Sequence, residues 1–391
     1  MGAGDLHPCR IGACMRYDAA VLGLGGMGSA VLAHLARRGM HAAGFERFAL
    51  VHDLGSSSGR TRIIRKAYFE DAAYVPLLER AYELWRELEE RSQTALLDLF
   101  GVLIAGRPEA AAVAGTAHAA KLHGIAVEHL DSKALRARFP VLAFRDDEVG
   151  VFEPEAGVVF PERAIAAHLS VARSEGAHLY DRARVSGFEP IADGVRIDFQ
   201  DGDAVEASRL AICAGPWSAD LLAHVRLPLH VQRNVQYWFE PATQSWSPNA
   251  LPAFLLERDG LPVPLYAIPD LGDGFKIAFH GLGEITTADR LDRSVHANEV
   301  AQMQDALAGL LPGSEAKLIA SKVCMYTMTP DANFAIGRDP ANERIVIACG
   351  FSGHGFKFAP VIGEIVAQML AGEEPPYDLG FLRLERFTSG R

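Results

Sequence analysis

Two arginines flank a pair of isoleucines in a segment that otherwise has the composition of a loop. Residues 55–59 read Gly-Ser-Ser-Ser-Gly, and residues 62–66 read Arg-Ile-Ile-Arg-Lys. Because apolar residues interrupt the charges, the segment is expected to lie against the protein and to hold Arg62 and Arg65 at an edge or a pocket. Planar guanidinium groups bind carboxylates well in such a place. At this stage a binding role and a structural ion pair explain the two arginines equally well.

A lysine and a histidine share one face of a segment that is typical of a strand. Residues 275–280 read Phe-Lys-Ile-Ala-Phe-His, and alternate side chains of a strand point the same way. Lys276 and His280 are therefore expected on one face of an otherwise apolar strand, where a buried cation needs a partner. Taken alone, His280 fits a hydrogen-bonded core histidine slightly better than a functional one.

Two further stretches bear on a cofactor site. Cys324 lies in an apolar run, and most cysteines in such a context are inert core residues. Residues 350–357 read Gly-Phe-Ser-Gly-His-Gly-Phe-Lys and precede an apolar helix predicted over residues 361–370. Backbone amides and a helix N-terminus gather there, which suits an anion or the electron-rich edge of an isoalloxazine ring.

The element that must position these residues is an N-terminal strand–turn–helix–strand unit. Residues 19–22 form an apolar strand, residues 23–28 read Gly-Leu-Gly-Gly-Met-Gly, and a helix follows over residues 29–38. In such a motif Gly23 permits the turn, Gly25 lets the backbone approach a pyrophosphate, and Gly28 lets helix and strand pack closely. Glu46 ends the second strand, where a carboxylate accepts ribose hydroxyls. The unit predicts dinucleotide binding, with NAD, NADP and FAD all open.

The remaining chain alternates between helix and strand patterns. A hairpin-like segment is predicted at residues 155–159, and strands return at residues 178–215 after intervening helices. NAD dehydrogenases usually complete the dinucleotide domain in one block, whereas flavoproteins often interleave it with a substrate domain. Further helices are predicted over residues 73–90, 109–123, 163–175 and 297–311, and further strands over residues 100–105, 234–239, 253–256, 265–268 and 275–280.

Composition restricts the class of protein. The 391 residues suffice for two domains, and the net charge of −11 disfavours nucleic acid or an anionic membrane as a partner. No apolar stretch is long enough for a membrane helix. Five cysteines without metal-ligand spacing predict neither a zinc site nor a disulfide framework, and hence a cytoplasmic protein. Residues 1–14 are expected to form a flexible extension, and residues 388–391 lack the Ser-Lys-Leu peroxisomal signal.

In these motifs taken together, the chain resembles the monomeric sarcosine oxidase family of FAD amine oxidases. That family includes N-methyltryptophan oxidase and the peroxisomal pipecolate oxidases. The resemblance covers residues 17–387 and rests on five motifs, at residues 23–28, 61–68, 214–217, 324–327 and 350–358. It implies a mixed α/β and α+β fold like that of D-amino-acid oxidase. A Rossmann-like FAD domain (residues 15–95, 150–225 and 322–391) would be interleaved with a substrate domain on a large antiparallel sheet (residues 96–149 and 226–321).

The resemblance also implies roles for individual residues. Cys324 would carry the flavin through a thioether, and Lys276 and Arg62 would lie on its two sides, with Lys276 helping electrons reach O2. The carboxylate of the substrate would be held by Arg65 and Lys357, near Tyr68, and the amine pocket would be lined by Tyr266, His280 and Tyr326. Lys357 is expected at FAD as well. The other residues expected there are Gly23, Gly25, Met27, Gly28, Glu46, Arg47, Ser56, Thr61, Val185, Gly215, Trp217, Met325, Gly353 and Gly355.

The implied activity is the oxidation of a secondary amino acid to an imine, with O2 reduced to hydrogen peroxide, by a monomer that holds no metal. Ser58 and Arg60 stand where the bacterial sarcosine oxidases carry a histidine and an acid, and the region 255–265 is longer here. Sarcosine, another N-methyl amino acid and a cyclic one such as pipecolate therefore stay open as substrates. The alternative is a flavin-dependent amino acid dehydrogenase that passes electrons to a quinone or a carrier instead of O2, which Lys276 disfavours. An NAD dehydrogenase would leave Cys324 and the second glycine segment unexplained.

Overall fold

The structure is a computed structural model that describes residues 15–241, 246–312 and 317–387. The expected N-terminal extension at residues 1–14 lies outside the described residues. Within them the helices are α1 (Gly26–Arg37), α2 (Val75–Ser92), α3 (Ala111–His123), α4 (Ser132–Arg138), α5 (Pro161–Ser174), α6 (Ser218–Leu221), α7 (Ala297–Leu310) and α8 (Ala359–Ala371).

The strands of the described residues are β1 (Arg16–Leu22), β2 (Ala42–Phe45), β3 (Arg62–Ile64), β4 (Leu97–Asp98), β5 (Val102–Gly106), β6 (Glu128–Leu130), β7 (Val149–Glu153), β8 (Gly157–Val159), β9 (His178–Tyr180), β10 (Val185–Ile191), β11 (Gly194–Phe199), β12 (Ala204–Ile212), β13 (His230–Phe239), β14 (Ala253–Glu257), β15 (Leu265–Ile268), β16 (Phe275–Phe279), β17 (Ile285–Thr286), β18 (Leu318–Met328), β19 (Ala335–Asp339) and β20 (Asn342–Cys349).

The first sheet has eight strands and contains the predicted dinucleotide unit. Its order is β10-β11-β12-β1-β2-β9, with β20 beside β12 and β19 beside β20. β1 runs parallel to both β2 and β12, so Ala20 lies opposite Ala43 on one side and Leu210 on the other. Helices α1, α5 and α8 pack together over this sheet in an apolar cluster. The return of the chain to this sheet after residue 178 confirms the predicted interruption of the dinucleotide unit.

The second sheet has nine strands and brings the chemistry-bearing residues of three strands to one face. Its order is β17-β13-β16-β15-β14-β5-β7-β6, with β18 beside β13, and all pairs except β14 with β5 are antiparallel. Trp238 opposes Lys276, and Asn234, four residues earlier, opposes Cys324. Tyr266 opposes Ala278, which shares the face of Lys276. Opposed residues point to the same side, so Lys276, Cys324 and Tyr266 share one face.

A small third sheet corrects one prediction. The hairpin expected around residues 155–159 is wrong, because β7 pairs with β5 and β6 whereas β8 pairs with β3 and β4. The two strands therefore leave their turn in different sheets. The physical reason is that β8 is apolar and buried on both faces, and it gains cover from β3 and β4 rather than from a hairpin partner.

The two large sheets alternate along the chain, as an interleaved fold requires. Strands β7 and β18 join the nine-stranded sheet although residues 150–153 and 322–328 fall in ranges predicted for the FAD domain, and the domain boundaries stay a prediction. Within the described residues, no helix is both long and apolar enough to cross a bilayer. The same residues contain no group of three or more His, Cys, Asp or Glu side chains that could hold a metal ion.

Candidate active site

A cavity of about 500 Å³ draws its lining from both large sheets, a size typical of small-molecule sites. The first sheet and its loops contribute the predicted cofactor residues, and the second contributes Tyr266 and His280. The predicted residues that line it are Gly23, Gly25, Met27, Glu46, Arg47, Ser56, Arg62, Arg65, Val185, Gly215, Trp217, Tyr266, His280, Met325, Tyr326, Gly353, Gly355 and Lys357.

The first glycine turn forms an open cradle at the start of α1. A Cβ on Gly28 would lie 1.7 Å from the carbonyl oxygen of Gly23, so helix and turn meet at a distance only glycine allows. A Cβ on Gly25 would meet nothing closer than Ser57 Oγ at 3.8 Å. The N-cap residue Gly25 has no side chain to cap α1, no acid lies in its first turn, and Ser57 Oγ accepts the backbone N–H of Gly26 at 3.2 Å. Gly25, Gly26 and Met27 line the cavity, so the positive end of the helix dipole lies where it can receive phosphate.

Glu46 is fixed beside this cradle at the end of β2. Its Oε2 accepts the backbone N–H of Leu24 at 2.9 Å, and its Oε1 accepts that of Phe48 at 3.0 Å. His52 Nε2 lies 3.2 Å from Oε1. The carboxylate is 5% exposed and keeps lone pairs toward the cavity, which suits ribose hydroxyls.

Two buried hydroxyls in the cavity wall lack partners among the described residues. They are Ser56 Oγ and Thr327 Oγ1. Buried polar atoms are nearly always hydrogen-bonded, so an atom without a partner at a cavity wall indicates a missing ligand. Together with the cradle, the acid and the second glycine segment, these atoms fit a bound dinucleotide such as FAD.

Arg62, which lines the cavity, meets Cys324, which does not. Arg62 Nη2 lies 3.7 Å from Cys324 Sγ and donates to the carbonyls of Ser56, at 3.0 Å, and Ser58. Cys324 is 2% exposed and is not among the residues that line the cavity. Its neighbour Met325 does line it. The thiol therefore lies at the edge of the space in which a flavin would fit, beside the Arg62 guanidinium.

Lys276 is buried next to the same wall. It is 1% exposed, and its Nζ donates to the carbonyls of Gly59 at 2.7 Å and Thr61 at 2.8 Å. Burial lowers the pKa of Lys276 well below its ordinary value, and the neighbouring Arg62 lowers it further. The ring of Trp238 lies 5.3 Å from Nζ. The sequence-based prediction that this cation needs a partner is met by backbone oxygens and an aromatic face.

Arg65 faces the cavity but is already paired. Its Nη2 donates to Glu70 Oε2 at 2.6 Å and its Nη1 to the carbonyl of Ala67 at 2.8 Å, between the rings of Tyr68 and Phe69. Burial raises the pKa of Glu70, but Arg65 and the cations around it outweigh burial and bring that pKa to about 2. Glu70, which also lines the cavity, was not predicted as a site residue, because an isolated acid after two aromatic residues carries no motif.

Lys357 lies in a single helical turn before α8 and completes this polar end of the cavity. Its Nζ donates to the carbonyl of His354 at 2.7 Å and lies 3.4 Å from Tyr68 Oη. Tyr68 Oη is in turn 2.6 Å from His354 Nδ1. Burial lowers the pKa of Lys357 to about 7, with Glu70 opposing the shift. Lys357 is thus a cation that loses its charge near neutral pH.

Another part of the cavity wall is built from neutral rings. His280 Nδ1 lies 3.4 Å from Tyr326 Oη, and the rings of His280 and Tyr266 are 6.4 Å apart. Burial lowers the pKa of His280 and raises that of Tyr266 to about 12, so all three rings are uncharged near neutral pH. Leu255 and Ile104 complete this wall.

Of the predicted site residues, Gly28, Thr61, Tyr68, Lys276 and Cys324 are not among those that line the cavity. Four of the five, all except Lys276, contact a residue that does line it. Gly28 packs on Gly23, Thr61 accepts from Lys276 and Arg62, and Tyr68 contacts Lys357. Thr327 and His354 line the cavity and were not predicted, although both fall within recognised motifs. The second glycine segment could have pointed to His354, since this histidine lies between two of its glycines.

Comparison with known proteins establishes the family. Residues 18–369 match the model of the FAD dependent oxidoreductase family, DAO. The chain is 40% identical to a monomeric sarcosine oxidase of Streptomyces avermitilis, over 95% of this chain and 98% of that one. It is 34% identical to an N-methyl-L-tryptophan oxidase of Salmonella dublin, over 96% and 100%. The chain therefore belongs to the DAO family of FAD-dependent oxidoreductases, and the cofactor predicted from the motifs is confirmed as FAD.

Solved structures support the fold. The amino acid oxidase NikD superposes with a TM-score of 0.83 at 23% identity, over 94% of this chain and 97% of that one. Glycine oxidase from Geobacillus kaustophilus gives 0.80 at 24% identity, over 95% and 99%. The predicted fold class, with an FAD-binding Rossmann-like part and a second large sheet, is confirmed.

Proposed function

We propose that this protein oxidises the C–N bond of a secondary amino acid to an imine and passes the electrons to O2, which yields hydrogen peroxide. One observation carries the proposal: the cavity that contains the dinucleotide cradle is also lined by the cations Arg65 and Lys357 and by the neutral rings of His280, Tyr266 and Tyr326. Cations and uncharged rings in one cavity suit a molecule with a carboxylate and an uncharged amine.

Arg65 and Lys357 would bind the carboxylate of the substrate. Arg65 is stacked between two rings, which fixes the plane of its guanidinium. Its pairing with Glu70 means that a substrate carboxylate competes for Nη2 or joins the pair. Lys357 adds a second positive charge below about pH 7. This clamp would orient the α-carbon relative to the cofactor.

FAD, when bound, accepts two electrons from the α-C–H and amine of the substrate. Arg47 and Trp217 would hold the adenosine part together with Glu46, and Gly353 and Gly355 would offer backbone amides to the ring. The neutral rings of His280, Tyr266 and Tyr326 would exclude water and favour the neutral amine, the form that has a lone pair.

Lys276 would supply the positive charge that helps electrons reach O2. Arg62 would stand beside it rather than on the other side of the ring, because both cations donate to the carbonyl oxygen of Thr61. The proximity of Arg62 to the thiol supports Cys324 as a point of covalent FAD attachment. The predicted domain boundaries, a monomeric state and a cytoplasmic location belong to the same proposal.

Relatives named for sarcosine and for N-methyl-L-tryptophan support an N-methyl amino acid as the substrate class. The aliphatic wall of Leu255 and Ile104 is also compatible with a cyclic amino acid such as pipecolate.

The proposal is tested by measuring peroxide formed from sarcosine, N-methyl amino acids, proline and pipecolate under air, with the matching primary amino acids as controls. Turnover of a secondary amino acid with one peroxide per O2 consumed supports it. Reduction of the flavin by such a substrate without peroxide, and with turnover only on a quinone, would replace it by the dehydrogenase alternative. No flavin reduction by any secondary amino acid would reject the substrate class.

A further inference from the structure

The turn that holds Lys276 has an unfavourable backbone conformation. Thr61 N donates to the carbonyl of Gly59 at 2.7 Å, and Arg60 between them has φ of 67°. This is a γ-turn of the rare type with positive φ, which is strained for a residue with a side chain. Gly59 itself has φ of 107°, and a Cβ there would meet Gln236 Oε1 at 2.1 Å. Such a turn persists only when its surroundings hold it.

Glu162 holds the turn from the side opposite Lys276. Its Oε1 accepts the backbone N–H of Gly59 at 2.8 Å and of Arg60 at 3.1 Å. Glu162 lies in the first turn of α5, where the helix dipole favours a negative charge. The peptide groups of the turn therefore lie between a carboxylate on their N–H side and the Lys276 ammonium on their carbonyl side.

The charges around Lys276 make this carboxylate important. Burial and Arg62 both lower the pKa of Lys276, whereas Cys324, Glu162 and Asp273 raise it. Asp273 is partly exposed and paired with Arg60, which screens its effect. Cys324 acts only as a thiolate and would carry no charge as a thioether. Among the titratable groups that face Lys276 (Arg60, Arg62, Glu162, Asp273 and Cys324), Glu162 is the one anion without a side-chain cation within salt-bridge distance among the described residues.

We propose that Glu162 is a positioning residue: it fixes the turn at residues 59–61 around Lys276 and provides the negative charge that keeps this buried lysine in its charged form. The inference rests on the role proposed for Lys276 in the reaction with O2. Glu162 does not line the cavity, so it acts through the turn and contacts neither substrate nor cofactor.

The charge-specific variant is Glu162→Gln, which retains the length of the side chain and an acceptor for the turn. The enzyme is reduced without substrate, by light and EDTA under anaerobic conditions, and mixed with O2 from pH 6 to 10. We expect the pH at which reoxidation slows to fall by about one unit, so that reoxidation at the original midpoint is several-fold slower. The pH titration of the oxidised flavin spectrum, which involves no turnover, should shift the same way.

Two controls identify the groups responsible. Glu175→Gln removes a carboxylate just beyond the other end of α5, where Glu175 is 3.8 Å from Arg91, and should leave both titrations unchanged. Lys276→Met should abolish the pH step and thereby assign it to the lysine. Glu162→Asp, which keeps the charge, should shift the midpoint less than Glu162→Gln does.

Loss of folding in Glu162→Gln is handled by relieving the strain first. Arg60→Gly makes the positive φ favourable. A comparison of the single variant Arg60→Gly with the double variant Arg60→Gly/Glu162→Gln then measures the effect of the Glu162 charge alone. Superimposable pH profiles with and without the Glu162 carboxylate would overturn the inference. If no secondary amino acid is a substrate, this test still applies, because the flavin is reduced by light. If a secondary amino acid is oxidised normally but the pH profile of Glu162→Gln is unshifted, only the role inferred for Glu162 is rejected.

Discussion

Arg65 and Glu70 form an ion pair at the wall of the cavity, with Nη2 and Oε2 2.6 Å apart and side chains that are 5% and 17% exposed. The only guanidinium proposed to bind the substrate carboxylate is thus occupied by a carboxylate of the protein. Arg65 remains oriented by the carbonyl of Ala67 and by two flanking rings. Glu70 therefore sets the affinity of this site for an incoming anion.

Glu70→Gln should tighten the binding of a simple carboxylate ligand that lacks an amine. A neutral amide is too weak an acceptor to compete for Arg65 as the charged Glu70 does. The cavity also loses the negative charge of Glu70, a change that is partly offset because the pKa of Lys357 falls without Glu70. We expect the dissociation constant to fall roughly tenfold, measured by the perturbation of the flavin spectrum. Glu155→Gln removes an exposed carboxylate paired with Lys66 and should change nothing. Weaker binding in Glu70→Gln would show that the substrate site needs the intact pair.

Binding of the same ligand should weaken as the pH rises through about 7. Lys357 has a pKa of about 7 in the folded protein, so it is a cation below that pH and neutral above it. The ligand has no amine, so its own charge is constant over this range. Lys357→Met should bind several-fold more weakly at pH 6 and should show no pH dependence between 6 and 8. A parental affinity that is constant from pH 6 to 8 would contradict the role of Lys357.

Alanine at Gly25 and at Gly28 should have different consequences. In Gly28→Ala the Cβ overlaps the carbonyl oxygen of Gly23, and backbone has to move, so we expect a loss of folding stability of about 3 kcal/mol or more. In Gly25→Ala the Cβ has open space, so the flavin-free variant should unfold at the same temperature as the flavin-free parental protein, while FAD content falls. Equal loss of stability in the two variants would argue against Gly25 as the phosphate-facing position.

Cys324→Ala should release the flavin. After acid precipitation the parental protein is expected to retain the yellow colour, and the variant to lose it to the supernatant. Arg62, 3.7 Å from the thiol, supports this attachment, and Cys213, whose pKa is raised to about 12 by burial, does not offer a thiolate. Cys213→Ala is therefore the matched control and should keep its colour. Flavin released from the parental protein would exclude a covalent link.

Two buried histidines should make the protein sensitive to acid. Burial lowers the pKa of His34 and of His168 to about 3 each, well below the value of 6.5 in the unfolded chain. Between these values the unfolded state binds more protons, so stability is fully present above pH 6.5 and is lost as the pH falls toward 3. The loss is on the order of 4 kcal/mol per histidine. His168→Phe should flatten the decline of the urea midpoint between pH 6.5 and 4.5, and an unchanged slope would contradict this.

The sequence by itself determined the local elements and the cofactor. Strand, glycine turn, helix and acid follow from short-range rules, because Gly23, Gly28 and Glu46 act within one βαβ unit. The motif at residues 61–68 and the glycines at 350–355 likewise indicated FAD and a carboxylate site. Period-two alternation predicted Lys276 and His280 on one face of a strand; β16 contains Lys276 and ends at Phe279, so His280 lies just beyond it.

Only the tertiary structure decided which partners the charged residues find. The pairing of Arg65 with Glu70, the turn between Glu162 and Lys276, and the contact of Arg62 with Cys324 join positions that lie 5, 114 and 262 residues apart. The placement of β7 and β8 in different sheets likewise depends on tertiary packing, because β8 is covered by β3 and β4 while β7 pairs with β5 and β6. Burial and long-range hydrogen bonds set these relationships, and neither is encoded in the spacing of residues along a single strand or helix.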